Sequence, residues 1–265
     1  MQYEGEVVAG SSCLLRFLTT WIGSFQEFLI LAGLAFRNVV RRPHYYDDVF
    51  LQMDIIGVGS LPIVILTGAF SGAIIALQMS RALNTYGASS QVGAIVSLTL
   101  VRELGPVLTA LLVAGRNASG IASELGSMKV TEQIDAMRAL GTDPVQKLVT
   151  PRLTATAIML PCLTVVADAI GLFGAFVVAV PLLRLITSEQ YWSTSWRALV
   201  LNDLGQGLGK PFVFGMLIAL IGCFYGLRTT GGTQGVGRAT TQAVVAASIW
   251  IFFVTFLIDK IFVNL

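Results

Sequence analysis

The sequence predicts an all-α membrane protein. Its 265 residues are 55% hydrophobic and only 12% charged, and their mean hydropathy is +0.77, whereas about 25% of the residues in a soluble globular domain are charged. The sequence contains several uncharged stretches, each long enough to cross or nearly cross a hydrocarbon core of about 30 Å. The segments between them are too short for a soluble catalytic domain, so we expect no enzymatic activity in this chain.

The first forty residues predict a helix that lies in the membrane interface. We expect residues 1–12 to be disordered, a helix over residues 13–42, and a single domain over residues 13–265. Between Leu14 and Ala32, apolar residues recur at helical spacing and polar residues occupy the opposite face. Glu27, in the middle of this segment, favours an interfacial helix over a sixth span, which is the alternative.

Five membrane spans follow, predicted over residues 55–84, 92–122, 152–184, 206–228 and 240–263. We expect the N-terminus to lie in the cytoplasm, because the chain begins with acidic residues and has no recognisable signal peptide. Eleven of the 17 lysines and arginines then fall on the cytoplasmic side, in agreement with the positive-inside rule.

Two connections between the spans have distinctive compositions. Residues 186–203 contain Trp192 and Trp196, which are typical of an interfacial loop or short helix at the outer surface. Residues 229–240 are rich in glycine and predict a flexible cytoplasmic turn.

Two stripes of small residues predict close contacts between helices. Gly68 and Gly72 form one stripe in the first span. The second stripe lies at the end of the second span and consists of Ala114, Ala118, Ala122 and Gly126. Packing within the chain and a seam between two copies are both compatible with these stripes.

A polar segment over residues 129–142 predicts a short cytoplasmic helix between the second and third spans. Thr131 and Glu132 form its expected start, and Gly141 with Pro144 forms its expected end. One face of this helix is apolar and consists of Ile134, Met137 and Leu140. The apolar face could dock on a partner or cap the chain's own bundle.

Arg102 and Glu103 are charged residues inside the second span, where each charge costs at least about 2.5 kcal/mol of insertion free energy. Adjacent helical positions point about 100° apart, so the two side chains cannot form a simple mutual ion pair. Pro106 cannot donate to the carbonyl oxygen of Arg102, which predicts a local distortion of the helix. These features indicate a cavity wall, and the alternative is a pair near the outer interface that reaches water.

Two further charged residues could pair with Arg102 or Glu103. Asp168 lies near the middle of the third span, and Lys210 lies at the start of the fourth. Asp168 could form a structural ion pair, or it could take part in transport. An interfacial position is the alternative for Lys210.

The sequence lacks the residues that several other functions would require. The sequence has no P-loop of the form G-x-x-x-x-G-K-[ST], so a partner must bind any ATP that drives this protein. The single histidine, His44, argues against a His-rich metal site or a catalytic triad, and the three cysteines are far apart. A net charge of +2 is too small to predict nucleic acid binding.

Several sequence blocks are more specific than composition. They are Arg102-Glu103-Leu104-Gly105-Pro106-Val107-Leu108-Thr109-Ala110-Leu111, Ala114-Gly115-Arg116, Glu124-Leu125-Gly126, Thr131-Glu132-Gln133-Ile134-Asp135-Ala136 and Pro151-Arg152. In these blocks the chain resembles the MlaE family of permeases, the membrane subunits of MCE-type ABC lipid transporters. One departure follows Gly115-Arg116, where the family often has a small residue and then glycine, whereas this chain has Asn117 and Ala118.

The resemblance implies a homodimer in the inner membrane of Gram-negative bacteria, with its N-terminus in the cytoplasm. The implied partners are two cytoplasmic ABC ATPase subunits that bind ATP and magnesium, a periplasmic ring of MCE domains and a small STAS-domain protein. The implied activity is ATP-driven phospholipid transport that maintains outer-membrane lipid asymmetry or moves lipid between the inner and outer membranes. No cofactor is implied in this chain itself.

The resemblance also implies two sets of functional residues. The lipid cavity would be lined by Arg102, Glu103, Gln78, Leu83, Tyr86 and Lys210. Coupling to the ATPase would use Thr131, Glu132, Gln133, Ile134, Asp135, Met137, Arg138 and Leu140.

Two other classes of function are compatible with the composition. An ion- or proton-coupled secondary transporter would use Glu103 and Asp168 and would function without an ATPase. A membrane scaffold would have no transport activity.

Overall fold

The computed structural model describes residues 3–41, 43 and 45–263, and the side chains of residues 22–41, 43 and 45–262. These residues form helices and no strand, which confirms the predicted all-α class. In chain order the helices are α1 (Tyr3–Val40), α2 (Tyr46–Thr85), α3 (Ser89–Val130), α4 (Gln133–Ala139), α5 (Val145–Leu182), α6 (Ser188–Ala198), α7 (Leu201–Leu227) and α8 (Gly232–Val263).

Five of these helices, α2, α3, α5, α7 and α8, are long and apolar enough to cross a membrane. This confirms the five predicted spans, although several helices extend beyond the predicted bounds. The predicted flexible turn over residues 229–240 is wrong for most of its length, because α8 already begins at Gly232. The chain reverses at Gly231 and Gly232, whose φ values of 87° and 66° favour glycine. Gly235 and Gly237 already lie within α8.

The first helix begins at Tyr3, within the segment for which disorder was predicted, and that disorder stays a prediction. No proline interrupts the sequence before Pro43, and extending an existing helix costs less than starting one. The ring of Phe28 packs edge-on against Phe224 of α7, with ring centroids 5.6 Å apart. The described part of α1 therefore packs on the bundle, and its location in the membrane interface stays a prediction.

Both stripes of small residues make contacts within the chain. Gly68 and Gly72 lie against the backbone of α5, where a Cβ atom at Gly72 would come within 1.9 Å of the carbonyl oxygen of Gly171. In the second stripe, Ala118 and Ala122 lie against α7, where a Cβ atom at Gly222 would come within 3.1 Å of the Ala118 carbonyl oxygen and one at Gly226 within 3.2 Å of that of Ala122. Close packing of this kind is what small residues permit between membrane helices.

The spanning helices contain π-helical turns, and one of them includes Arg102 and Glu103. This turn covers Leu100–Leu104, directly before Gly105 and Pro106. The distortion predicted from Pro106 is thereby confirmed in a specific form, a π-helical turn rather than a simple bend.

The bundle has two distinguishable ends. The ends of α3 and α7 and the starts of α5 and α8 meet where α4 lies, and we call this the α4 end. The opposite end carries α6, which confirms the predicted short helix over part of residues 186–203. Tyr191 of α6 is fully buried and donates a hydrogen bond of 2.9 Å to the carbonyl oxygen of Leu172, which holds α6 on α5.

Candidate functional site

The charged residues inside the bundle converge in one place. Two acidic residues that the sequence analysis did not single out complete the group. We call the group the Lys210 cluster, and its members are Arg102, Glu103, Asp203, Lys210 and Asp259. It joins α3, α7 and α8 in the half of the bundle that carries α6.

Lys210 is at the centre of this cluster, and its side chain is fully buried. Its Nζ atom donates to Glu103 Oε1 at 2.9 Å and to the carbonyl oxygen of Arg102 at 2.8 Å, and it forms an ion pair with Asp259. The ammonium group therefore makes two hydrogen bonds and one further ion pair. Of the two residues that could pair with Arg102 or Glu103, Lys210 is the one that does so, and its side-chain partner of the two is Glu103.

Lys210 was also expected to line the lipid cavity. In the structure its side chain has no exposed surface, because a charged group inside a membrane protein must be surrounded by partners. The exposed side chains of the cluster include those of Arg102 and Glu103, and the cavity role of Lys210 stays a prediction.

Arg102 pairs with Asp203, which the sequence analysis did not consider. Its Nε atom donates to Asp203 Oδ1 at 2.6 Å, and Asp203 Oδ2 accepts the backbone N–H of Val200 at 3.0 Å. The Asp203 side chain is 1% exposed, whereas that of Arg102 is 44% exposed. One side of the guanidinium group is thus anchored, and the other remains accessible.

A sequence signal for Asp203 was present. It precedes Lys210 by seven residues, and side chains seven positions apart lie on the same face of a helix. No comparable signal points to Asp259, because it lies on another helix and only the packing of α8 against α7 brings it to Lys210.

Asp168 was a candidate partner of Arg102 or Glu103, and it pairs with neither. In the described part of the chain, its carboxyl group makes no hydrogen bond or ion pair, and its Oδ1 atom lies against Gly105. Asp168 lines a mostly apolar cavity of about 350 Å³ between α5, α6 and α7 that also includes Trp192 and Trp196.

The remaining predicted cavity residues lie at the end of α2. Gln78 is exposed, Tyr86 is 83% exposed, and Leu83 packs on an apolar cluster around Val92 and Val96. Among the described residues, the polar contacts of the Lys210 cluster include none with Gln78 or Tyr86. A single cavity lined by the Lys210 cluster and by these residues at the end of α2 stays a prediction.

The predicted coupling helix is shorter than expected. α4 covers Gln133–Ala139 instead of residues 129–142, and Lys129 belongs to the last turn of α3. Thr131 does not begin α4, because its Oγ1 atom donates to the carbonyl oxygen of Ser127 at 2.9 Å and so closes α3. The predicted end is confirmed, since Gly141 has a φ of 79° and directly follows the last turn.

The apolar face of α4 is divided between the bundle and the surface. Ile134 is fully buried, Met137 is half-buried and Leu140 is 84% exposed. The expectation that all three dock on a partner is therefore wrong for Ile134, which caps the chain's own bundle. Gln133 and Arg138 are exposed.

Asp135 connects α4 to the end of α3. Its carboxylate accepts from Lys129 Nζ at 2.7 Å and lies 3.5 Å from Arg138 Nη1. The hydrogen bond from Lys129 holds the pKa of the Asp135 carboxyl below its ordinary value, and the charge of Arg138 acts in the same direction. Asp135 is thus charged at neutral pH and fixes the direction in which α4 leaves α3.

Glu132 lies in the left-handed region of backbone conformation, with a φ of 61°. We expect Glu132→Gly to stabilise the isolated chain by about 0.5 kcal/mol, because a left-handed L-residue costs about 1 to 2 kcal/mol and the greater freedom of unfolded glycine offsets part of the gain. Thermal unfolding in detergent would measure this change.

Glu132→Ala is the matched control, because it removes the same carboxylate and keeps the strain. We expect only the glycine variant to be stabilised, because only it relieves the left-handed conformation. Equal stability of the two variants would contradict the strain argument.

The structure of the described residues contains no group of three or more histidine, cysteine, aspartate or glutamate side chains that could hold a metal ion. The Lys210 cluster itself consists of ion pairs and includes the half-exposed side chain of Arg102.

Comparison with known proteins places the chain in a family. The model of the family described as Permease MlaE matches residues 49–261. A protein named as a probable ABC transporter permease from Rickettsia typhi is 41% identical over 88% of this chain and 90% of its own length. A protein of Synechocystis with the same description is 38% identical over 91% of this chain and 92% of its own.

A plant protein is also similar. The chloroplastic protein named TRIGALACTOSYLDIACYLGLYCEROL 1 of Arabidopsis thaliana is 34% identical over 88% of this chain and 66% of its own length. The family match covers most of the chain, and two bacterial relatives are similar over nearly their whole length. The chain therefore belongs to the MlaE permease family and is the permease subunit of an ABC transporter.

Proposed function

We propose that this permease transports phospholipid and that Arg102 binds the lipid phosphate. The observation that carries the proposal is the half-exposed guanidinium group of Arg102, which Asp203 anchors from behind inside a membrane-spanning bundle. Guanidinium groups match phosphate in both charge and geometry, and they bind it with paired hydrogen bonds. The name of the Arabidopsis relative contains that of a glycolipid, which supports a lipid substrate.

The energy for transport comes from an ATPase partner in this proposal. The sequence contains no P-loop, and ABC transporter permeases work with a separate ATPase. α4 presents exposed Gln133, Arg138 and Leu140 at the α4 end, and these side chains are available to a partner. We propose that this end faces the cytoplasm of a bacterial cell, in its inner membrane, and that two copies of the chain form the permease.

The α6 end would then face the periplasm, where an MCE-domain ring would receive or deliver lipid. The Lys210 cluster lies in that half of the bundle. In this arrangement the transporter would move phospholipid between the inner and outer membranes, and a small STAS-domain protein would bind on the ATPase side.

The first experiment on the proposal changes the charge at the lipid site. We expect Arg102→Glu to lower phospholipid transport at least about tenfold, since a charge-assisted hydrogen bond contributes about 1.5 to 3 kcal/mol. Arg102→Lys keeps the charge and loses the paired geometry, so we expect an intermediate effect. Transport of radiolabelled phospholipid by the purified complex in vesicles would measure both changes.

Arg197→Glu is the matched control, because Arg197 is an exposed arginine on α6 outside the Lys210 cluster. Unchanged transport in Arg102→Glu and in Glu103→Arg would overturn the proposed lipid site. Purification of the native complex tests the energy source. An associated ATPase is expected, whereas ATP-independent activity that requires Glu103 and Asp168 would instead indicate an ion-coupled transporter.

A further inference from the structure

The carbonyl oxygen of Arg102 lacks its usual helical partner. In an α-helix, the carbonyl of one residue accepts the N–H of the residue four positions later. For Arg102 that residue is Pro106, which has no N–H. A backbone carbonyl without a donor inside a membrane span costs several kcal/mol, so this carbonyl needs a donor other than the α-helical amide.

Lys210 supplies that donor from another helix. Its Nζ atom lies 2.8 Å from the carbonyl oxygen of Arg102, which is a normal hydrogen-bond length. The side chain is fully buried, and the same ammonium group bonds Glu103, the next residue of the π-helical turn. One cation thus holds both the backbone and a side chain of this turn.

The other prolines inside the spanning helices do not show this arrangement. The carbonyl groups opposite them, four residues earlier, accept no side-chain hydrogen bond in the part of the chain that the structure describes. The prolines compared are Pro62, Pro161, Pro181 and Pro211. The contact between Lys210 and the Arg102 carbonyl is therefore specific to the position of the charged pair.

We propose that Lys210 is a positioning residue whose ammonium group replaces the missing amide hydrogen of residue 106 and fixes the π-helical turn Leu100–Leu104. Arg102 and Glu103 stand in this turn, so Lys210 determines where their side chains point without touching a ligand itself. The ion pair with Asp259 extends the same connection to α8. The stability part of this inference concerns only the architecture of the chain, whereas its transport readout rests on the proposed function.

A double-mutant cycle between Lys210→Met and Pro106→Ala tests the proposal, because alanine returns an N–H to position 106. We expect Lys210→Met to lower the apparent melting temperature of the purified permease complex in detergent. Pro106→Ala should restore part of that loss, at most about half, since the new amide replaces one of the two hydrogen bonds of the ammonium group. Phospholipid transport by the same variants, relative to wild type, should recover in parallel.

Pro161→Ala is the matched control, because it returns an N–H to a carbonyl that Lys210 does not contact. We expect it to give no recovery in the Lys210→Met background. Equal recovery with both alanine variants, or recovery with neither, would overturn the proposal.

Failure of Lys210→Met to fold would not prevent the test. The yield of monodisperse complex on size-exclusion chromatography then replaces the melting temperature. Pro106→Ala should recover folded protein in that background, and no recovery would contradict the proposed role of Lys210.

Discussion

Replacement of Gly72 with alanine is expected to destabilise the protein by about 3 kcal/mol, at the upper end of the range for overpacked sites. The new Cβ atom would lie 1.9 Å from the carbonyl oxygen of Gly171 and 2.8 Å from its Cα atom. Both are backbone atoms and cannot rotate away. Relief requires α2 and α5 to separate, which would also loosen the close contact of Gly68 with the backbone of Ala167.

The thermal unfolding of Gly72→Ala in detergent would measure this effect. Gly120→Ala is the control, because Gly120 is also in a spanning helix and a Cβ atom there meets nothing within 4 Å. We expect the control to be neutral or slightly stabilising, since alanine has a higher helix propensity than glycine. Equal melting temperatures of the two variants would show that α2 and α5 are not packed as closely as described.

The second large effect is expected from reversal of the charge at Asp203. Asp203→Arg places a second guanidinium group opposite Arg102 at a position that is 1% exposed. We expect a loss of about 3 kcal/mol in stability, because an unpaired buried charge is not compensated. The N–H of Val200 also loses its acceptor, which adds to the loss.

The exchanged pair Arg102→Asp with Asp203→Arg should recover part of this stability, because it restores opposite charges on α3 and α7. Recovery should remain incomplete, since arginine cannot accept the hydrogen bond of Val200. The apparent melting temperatures of the single and double variants would measure the coupling. A double variant as unstable as Asp203→Arg alone would show that the ion pair does not join the two helices.

Glu189→Arg provides the control for this experiment. Glu189 is an exposed acid in the first turn of α6, at the same end of the bundle. Reversal of its charge changes the net charge equally and breaks no buried pair, so we expect little change in stability.

The spans could be predicted because their signal is local. Long uncharged stretches meet the length requirement of a bilayer whatever their neighbours are, and the five spanning helices confirm it. Pro106 likewise disturbs its own helix, because it has no backbone N–H. The disturbance appears as the π-helical turn Leu100–Leu104. The helix boundaries were predicted less well, because polar residues such as those around Lys129 can continue a helix beyond the apolar stretch.

The partners of the charged residues depended on packing. Hydropathy shows that Arg102 and Glu103 need partners, and it does not show which helix supplies them. The same holds for the stripe at Gly68, which was compatible with a dimer seam and instead packs on α5. It also holds for Ile134, which has the periodicity of a docking face and is buried in its own bundle.

The sequence by itself thus determined the helical class, the five spans and the position of the costly charges, because each follows from one segment and the solvent around it. The tertiary structure decided that Asp203 anchors Arg102. It also decided that Lys210 donates a hydrogen bond to the carbonyl oxygen of Arg102, to which Pro106 cannot donate. The physical reason is that these contacts join residues about a hundred positions apart. Their distances are set by the relative rotation and depth of packed helices, which no local pattern records.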